Sequence, residues 1–376
     1  VILYILCFVI CFTVYILLFL LNKKNNTPLT HIILISLLFR ILLIPLDQIT
    51  SDDYYRYLWD GKMQVNGINP YQFAPNDPAL INLHTDNLPK HVNHNHIKTI
   101  YPPVSQVLFF ICCYLFGENI WGLKIIYLIL DILIIFFLYK TLEFLKIKTS
   151  AVLLYALSPL VLFEFYINAH IDILMLLFIS LTIYWLVKGN MNLSMLFLGL
   201  SFMSKFYSLI LLPVILVYFY REKQSLTTIS KGLVFFLIPS IITVPYISHL
   251  GKVFDAVQSY SLYWYNNNPI YRIPYEWFAE SGMLPDVYIR ITLTVLIVAS
   301  IIFIATRKTD VISKISYVLF AYFLFSPTVH PWYLTILSLF MVYKFRLIFA
   351  FWTGFISLTY FAVYNYHITG VWKDIS

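Results

Sequence analysis

Charge is what this chain has least of. Only 11% of its 376 residues are Asp, Glu, Lys or Arg, against about 25% in an ordinary soluble domain. It cannot cover itself with a water-facing surface, which excludes a soluble globular protein. A hydrophobic content of 60% excludes a disordered one. Cysteine is scarce as well. Cys7, Cys11, Cys112 and Cys113 all lie in apolar runs, with neither a CxxC pair nor the spacing of a secreted disulfide scaffold, and they read as packing residues. No short-period repeat is present, which removes solenoids and propellers. No matching pair of broken apolar segments in two halves marks an inverted-repeat transporter. Residues 1–21 lack the basic flank and small-x-small site of a secretory signal. The chain also lacks an initiator Met, which leaves room for one more membrane span upstream.

What is present is a succession of apolar runs at about the roughly 20-residue length that crosses a bilayer as a helix, separated by short basic connections. Fourteen of the 25 Lys and Arg lie in 22–31, 140–149, 188–192, 221–231, 306–314 and 344–346, beside only Glu143, Glu222 and Asp310. The positive-inside rule places these loops in the cytoplasm. The long loops 47–103 and 248–290 then face the other side. The net charge of +7 is explained by this distribution, and no nucleic-acid partner is implied. The expected fold class is an all-α polytopic membrane protein of about twelve transmembrane helices. Crossings fall near 1–21, 32–46, 121–139, 150–165, 171–187, 193–206, 208–220, 233–247, 291–305, 315–326, 332–343 and 347–364. Parity allows only one crossing between loop 47–103 and loop 140–149, so the run 104–116 reads as an interfacial or re-entrant helix. Residues 1–376 are expected to form a single integral membrane domain, with a first outer loop over 47–120 and a second over 248–290.

The polar residues with chemical promise map to the outer side. Thr50 to Lys62 opens the first outer loop and carries the adjacent acids Asp52 and Asp53. A carboxylate at a bilayer edge lies in a reduced dielectric that raises its pKa and makes it a useful base. A helix over 52–65 puts Asp53, Arg56, Tyr57 and Asp60 on one face. Read alone, the segment is equally an amphipathic interfacial helix. Further polar elements follow: Gly67-Ile68-Asn69-Pro70-Tyr71, Tyr101-Pro102-Pro103, Asn168-Ala169-His170-Ile171-Asp172, Lys205, and His330-Pro331-Trp332-Tyr333-Leu334. Lys205 sits between two apolar runs, where an ammonium costs about 3 kcal/mol or more; it either snorkels to the interface or meets an anion. Asp131, mid-span, reads as structural, with Arg40 or a Ser or Thr as its partner. The histidines at 84, 91, 94 and 96 lack the spacing of a known zinc site. The stretch 260–277 suits either sugar stacking or an interfacial aromatic belt.

These elements, in this order over roughly 50–340, resemble the GT-C superfamily of glycosyltransferases. The nearest similarity is to bacterial polyprenyl-phosphate-mannose-dependent mannosyltransferases and to the first mannosyltransferase of GPI-anchor synthesis. The family's Asp-x-Asp-Tyr motif corresponds to Ser51-Asp52-Asp53-Tyr54, with Ser51 in place of the first Asp, so a metal role for that pair is not implied. The resemblance implies a membrane hexosyltransferase, a mannosyltransferase by type. It would move a sugar from a polyprenyl phosphate donor to a glycan or glycolipid acceptor, with inversion. The location implied is the bacterial cytoplasmic membrane, with the site on the periplasmic or extracellular side.

The resemblance makes Asp53 the catalytic base, aligned on Tyr54, with Asp52 as its competitor. Lys205, His330 and Arg56 are the candidates for the donor phosphate, because a departing phosphate needs cationic or hydrogen-bonding partners. Asp60, Tyr101, Asn168, His170, Asp172, Trp332 and Tyr333 are expected to line the substrate site. No metal ligands are assigned, and a divalent ion is compatible with the reaction without being required. A lipid or solute transporter is the alternative from another class, but it would place its ionisable groups near the midplane. An O-antigen ligase or polymerase is a third option and would use a diphosphate donor.

Overall fold

The computed structural model describes residues 1–25, 28–280 and 286–370. In a bilayer the backbone must satisfy its own N–H and C=O groups, which a helix does internally. The described residues accordingly form helices α1 (Ile2–Asn25), α2 (Leu29–Leu43), α3 (Asp53–Val65), α4 (Pro103–Phe116), α5 (Ile120–Leu145), α6 (Leu153–Ala156), α7 (Pro159–Leu162), α8 (Asp172–Val187) and α9 (Met191–Phe202). They continue as α10 (Leu212–Arg221), α11 (Leu226–Leu237), α12 (Lys252–Tyr263), α13 (Pro269–Glu280), α14 (Asp286–Thr306), α15 (Val311–Phe325), α16 (Thr335–Tyr343), α17 (Leu347–Phe355) and α18 (Tyr360–Thr369). Beyond helix, the described residues hold one isolated bridge, Asn266 to Thr328. Each expected crossing falls on helix. Five stretches are long and apolar enough to cross unaided, and six if the bent pair 149–167 is one span. The protein is an integral membrane protein.

The helices sort by what they face. Every residue of α16 is buried, and so is most of α8. By contrast, α14 turns Val287, Ile291, Val295, Val298 and Ile302 outward. Lipid tails are as apolar as leucine, so burying apolar surface does little to drive helices together there. Close approach and polar contacts must do it. A Cβ on Gly61 would lie 2.3 Å from the Phe109 carbonyl, so only glycine lets α3 lie this close to α4. Mid-membrane, Arg40 Nε donates to Asp131 Oδ2 at 2.7 Å, and the hydroxyls of Tyr155 and Tyr166 fill the same carboxylate at 2.7 and 2.8 Å. Arg40 Nη1 also donates to the Ala156 carbonyl at 2.7 Å. This pins α2, α5 and α6 together and gives Asp131 the structural partner expected of it.

Two departures from regular helix position the site. Leu157-Ser158 separates α6 from α7, which opens on Pro159, and the stretches either side, 149–156 and 159–167, bend by 51°. After α7 the backbone widens into a π-turn, Phe163–Ile167. Ala169 then takes a left-handed φ of 59°, and α8 restarts at Asp172. The run 150–165, expected as one crossing, is therefore broken at the level of the polar residues.

The long loop 47–103 closes back on the bundle. Asn69 Nδ2 donates to the Tyr246 carbonyl at 3.2 Å and the Tyr71 hydroxyl to the Tyr101 carbonyl at 2.7 Å. Glu118, just past α4, pairs with Lys62 at 2.6 Å, so α4 ends beside the loop it left. The second long loop contains α12 and α13, which the sequence pattern did not distinguish. Its residues 264–268 are fastened to 326–329: Asn266 N donates to the Pro327 carbonyl at 3.1 Å and Val329 N to the Asn266 carbonyl at 2.9 Å.

Candidate active site

Asp53 is the first residue of α3 and Asp52 occupies its N-cap position, where a helix N-terminus favours negative charge. Asn93 donates a short hydrogen bond to Asp52. Asp53 points toward His170, whose Nδ1 lies 3.7 Å from Oδ2, and its side chain keeps 28% of its surface exposed. Burial of the surroundings pushes the Asp53 carboxyl up, neighbouring Asp52 adds to that, and Lys205 pulls the other way; the result is about 7. A carboxyl poised there is ionised often enough to accept a proton near neutrality and basic enough to hold it.

Opposite lies Lys205, in extended backbone just after α9. Its Nζ donates to both oxygens of Asp172 at 2.7 and 2.6 Å and stands 4.5 Å over the Tyr333 ring. Asp172 is fully buried while Lys205 retains 16% exposure. The ammonium thus has a fixed direction and an open side. The Tyr333 hydroxyl meets that of Tyr260 at 2.9 Å.

Trp332 is sandwiched between two imidazoles. His170 stacks on it at 3.7 Å and His330 at 4.4 Å. His330 Nδ1 lies 3.2 Å from Asn266 Nδ2, so the second long loop fixes its ring. Burial and nearby Lys205 press the His330 imidazole down to about 3, so it acts near neutrality as an uncharged donor or acceptor. Asn168 Nδ2 donates to the Tyr4 hydroxyl at 2.9 Å, and its Oδ1 accepts from Thr50 N at 3.2 Å.

Asp53, Asp52, His170, Asp172, Lys205, His330, Trp332, Tyr333 and Asn168 therefore meet at one end of the bundle. Three other candidates stand behind them. Arg56, 9% exposed, donates to the carbonyls of Ile97, Asn93 and His94 at 3.0–3.2 Å and clamps the histidine-rich segment. Asp60 accepts from Gln106 at 2.8 Å, latching α3 to α4. The Tyr101 ring packs edge-on against Tyr57 and Phe109. The histidines at 84, 91, 94 and 96 make ring contacts with Trp59, Tyr55 and Trp264 and with one another. Among the described residues no group of three or more His, Cys, Asp or Glu could hold a metal ion.

Sequence reasoning missed Glu164, Tyr4 and Tyr360. Glu164 is wholly buried and accepts a short hydrogen bond from Tyr360. The signal was there: an acid inside the apolar run 150–165 is expensive and usually functional.

The solved structure of ArnT from Cupriavidus metallidurans bound to undecaprenyl phosphate aligns with 90% of this chain at a TM-score of 0.53 and 13% identity. At that identity it speaks to architecture, which is the GT-C fold. The chain spans 64% of the length of that structure. Residues 1–221 match the model of the family described as alpha-(1->6)-mannopyranosyltransferase, N-terminal domain, and the chain belongs to that family. No curated protein matches it by sequence.

Proposed function

We propose that this protein is a membrane glycosyltransferase, a mannosyltransferase by sugar, that takes its donor from a polyprenyl phosphate and inverts the anomeric centre. The observation that carries this reading is a partly exposed carboxyl poised near neutrality, Asp53, beside a half-buried, oriented ammonium, Lys205. Asp53 removes the acceptor hydroxyl's proton as that oxygen bonds to the anomeric carbon. The carbon–phosphate oxygen bond breaks, and the electron pair leaves with the lipid phosphate. Lys205, directed by Asp172 and Tyr333, meets the departing phosphate. His330 donates to it as a neutral ring, and Arg56 adds positive charge from behind. Asp52 is the competing base. Asn168, His170, Trp332 and Tyr333 shape the sugar site, with Asp60 and Tyr101 supporting it. The family supports mannose, and the undecaprenyl phosphate bound to ArnT supports a lipid phosphate. The acceptor is a glycan or glycolipid reached from the periplasmic or extracellular face of a cytoplasmic membrane, the side opposite the basic loops.

The test is transfer by the purified protein in liposomes from a defined polyprenyl phosphate mannose to a mannose-bearing acceptor. Release of lipid phosphate matched by acceptor elongation is expected. Sugar or lipid moving across the bilayer without any glycosidic bond formed would instead make it a transporter.

A further inference from the structure

Helices α14 and α15 form a hairpin whose connection, 307–310, belongs to the basic face that the positive-inside rule puts in the cytoplasm. From there α15 rises about 22 Å, and His330 lies beyond its far end. This is the opposite end of the bundle from Asp53. Between the two helices lies a cleft of about 340 Å³, within the size range of small-ligand sites. Its character changes with depth. Arg307, Thr309 and the Tyr317 hydroxyl stand at the mouth, while Phe303, Phe320 and Ala321 make the walls apolar. Ala321 is about 15 Å along α15 from Val311, a depth where a bilayer holds acyl chains.

The mouth carries positive charge that no acid balances. Arg346 donates to the Tyr317 hydroxyl and, from Nη2, to Ser313 Oγ at 2.9 Å. The Tyr317 oxygen is thus an acceptor there, and its own O–H is left to donate. Arg307 lays its guanidinium 3.9 Å over the Phe303 ring, and among the described residues it has neither a carboxylate nor a hydrogen-bond acceptor. Lys308 beside it is exposed. Asp310, the acid of the connection, caps α15 by accepting from Ser313 N at 2.8 Å. Two further cations, Arg221 and Lys314, are engaged with the carbonyls that end α14: Arg221 with those of Thr306 and Arg307 at 2.6 and 3.0 Å, and Lys314 with that of Ala305 at 3.1 Å.

We propose that this cleft binds an anionic phospholipid of the cytoplasmic leaflet, with the phosphodiester at Arg307, Thr309 and Tyr317 and one acyl chain between α14 and α15. A guanidinium can take a phosphodiester through two parallel hydrogen bonds, and the two hydroxyls add donors. The apolar walls fit a chain, which a free phosphate lacks. Uncompensated cations repel the ammonium of a zwitterionic headgroup and favour a headgroup of net negative charge. A lipid-linked sugar would instead be met by Lys205, at the other end of the bundle. So placed, the phospholipid ties the α14–α15 hairpin to Arg346 and the 344–346 connection.

The experiment is native mass spectrometry of the full chain released from nanodiscs of mixed phosphatidylglycerol and phosphatidylcholine. One phosphatidylglycerol should stay bound in preference to phosphatidylcholine. Arg307→Gln should lower its occupancy about tenfold, the effect of losing a charge-assisted hydrogen bond. Lys231→Gln removes the same charge from α11, outside the cleft, and should leave occupancy unchanged. Ala321→Trp fills the apolar part without altering charge and should abolish retention; if that variant fails to fold, the comparison of Arg307→Gln with Lys231→Gln decides alone. Equal losses in those two variants would reduce the effect to general surface charge. Phosphatidylcholine held as firmly as phosphatidylglycerol would remove the role of charge. Displacement by inorganic phosphate would make this a free-anion site, and preferential retention of polyprenyl phosphate would change the occupant. Each of these four results overturns the proposal, and none bears on sugar transfer.

Discussion

Two clusters in this molecule each bury an acid against a base, and they differ in what surrounds the pair. At Arg40–Asp131 both partners are fully inaccessible, and both carboxylate oxygens are occupied by Arg40, Tyr155 and Tyr166. At Asp53–His170 and Lys205–Asp172, one member of each pair keeps an open edge. A closed pair fastens helices. An open pair in the same fold has capacity left for a substrate. Burial of charge alone does not distinguish the two; the open edge of Asp53 and of Lys205 does.

The sharpest break of that comparison is to neutralise one acid in each cluster. Asp53→Asn should retain expression and donor binding while transfer falls at least about a hundredfold, up to about 10⁴-fold. Asp52→Asn should lose less; assays of both in detergent with purified donor would reverse the assignment if Asp52→Asn were the inactive one. Asp131→Asn should do the opposite. It leaves Arg40 as a buried, poorly paired charge, at a cost of about 3–5 kcal/mol, visible as a lower melting temperature in detergent with near-normal turnover per folded molecule.

Smaller effects sharpen the contrast. Lys205→Ala should weaken donor binding or turnover by roughly 10- to 100-fold, the worth of a charge-assisted hydrogen bond, with expression intact; unchanged donor titrations would separate it from the phosphate. Next is pH. Asp53 must be ionised to act, so the rate should fall about tenfold per unit once pH drops below about 7. Asp52 raises that carboxyl and Lys205 lowers it, so Asp52→Asn should move the inflection to lower pH and Lys205→Ala to higher pH. The mildest test leaves activity aside. Cysteines placed at Lys98 and at Glu118 should label from the same side of the membrane, as the Lys62–Glu118 contact supports. Labelling from opposite sides would mean that α4 crosses.

The apolar runs and basic loops placed the helices well, because hydropathy and charge are properties of contiguous sequence. The acids at 52 and 53, Lys205 and the 330–333 segment were legible because each interrupts an apolar context. What stayed hidden depends on distance along the chain. Asn168 meets Tyr4 across 164 positions and Tyr360 meets Glu164 across 196, and no periodicity encodes such pairs. The π-turn that aims Glu164 and the left-handed Ala169 were equally invisible, since neither uses Gly or a loop signature. The stretch 260–277, which overlaps α12 and α13, read as either a sugar-stacking surface or an interfacial belt, because Tyr and Trp mark an interface whatever the backbone does there.

The tyrosine on α18 has a consequence for how the protein is made. Glu164 is translated nearly two hundred residues before Tyr360, which caps its carboxyl group. Until α18 inserts, the nascent bundle carries an acid within apolar surroundings with only part of its hydrogen bonding in place. Assembly of the site thus waits for α18, and a ribosome-bound chain halted before Tyr360 would hold an incomplete pocket.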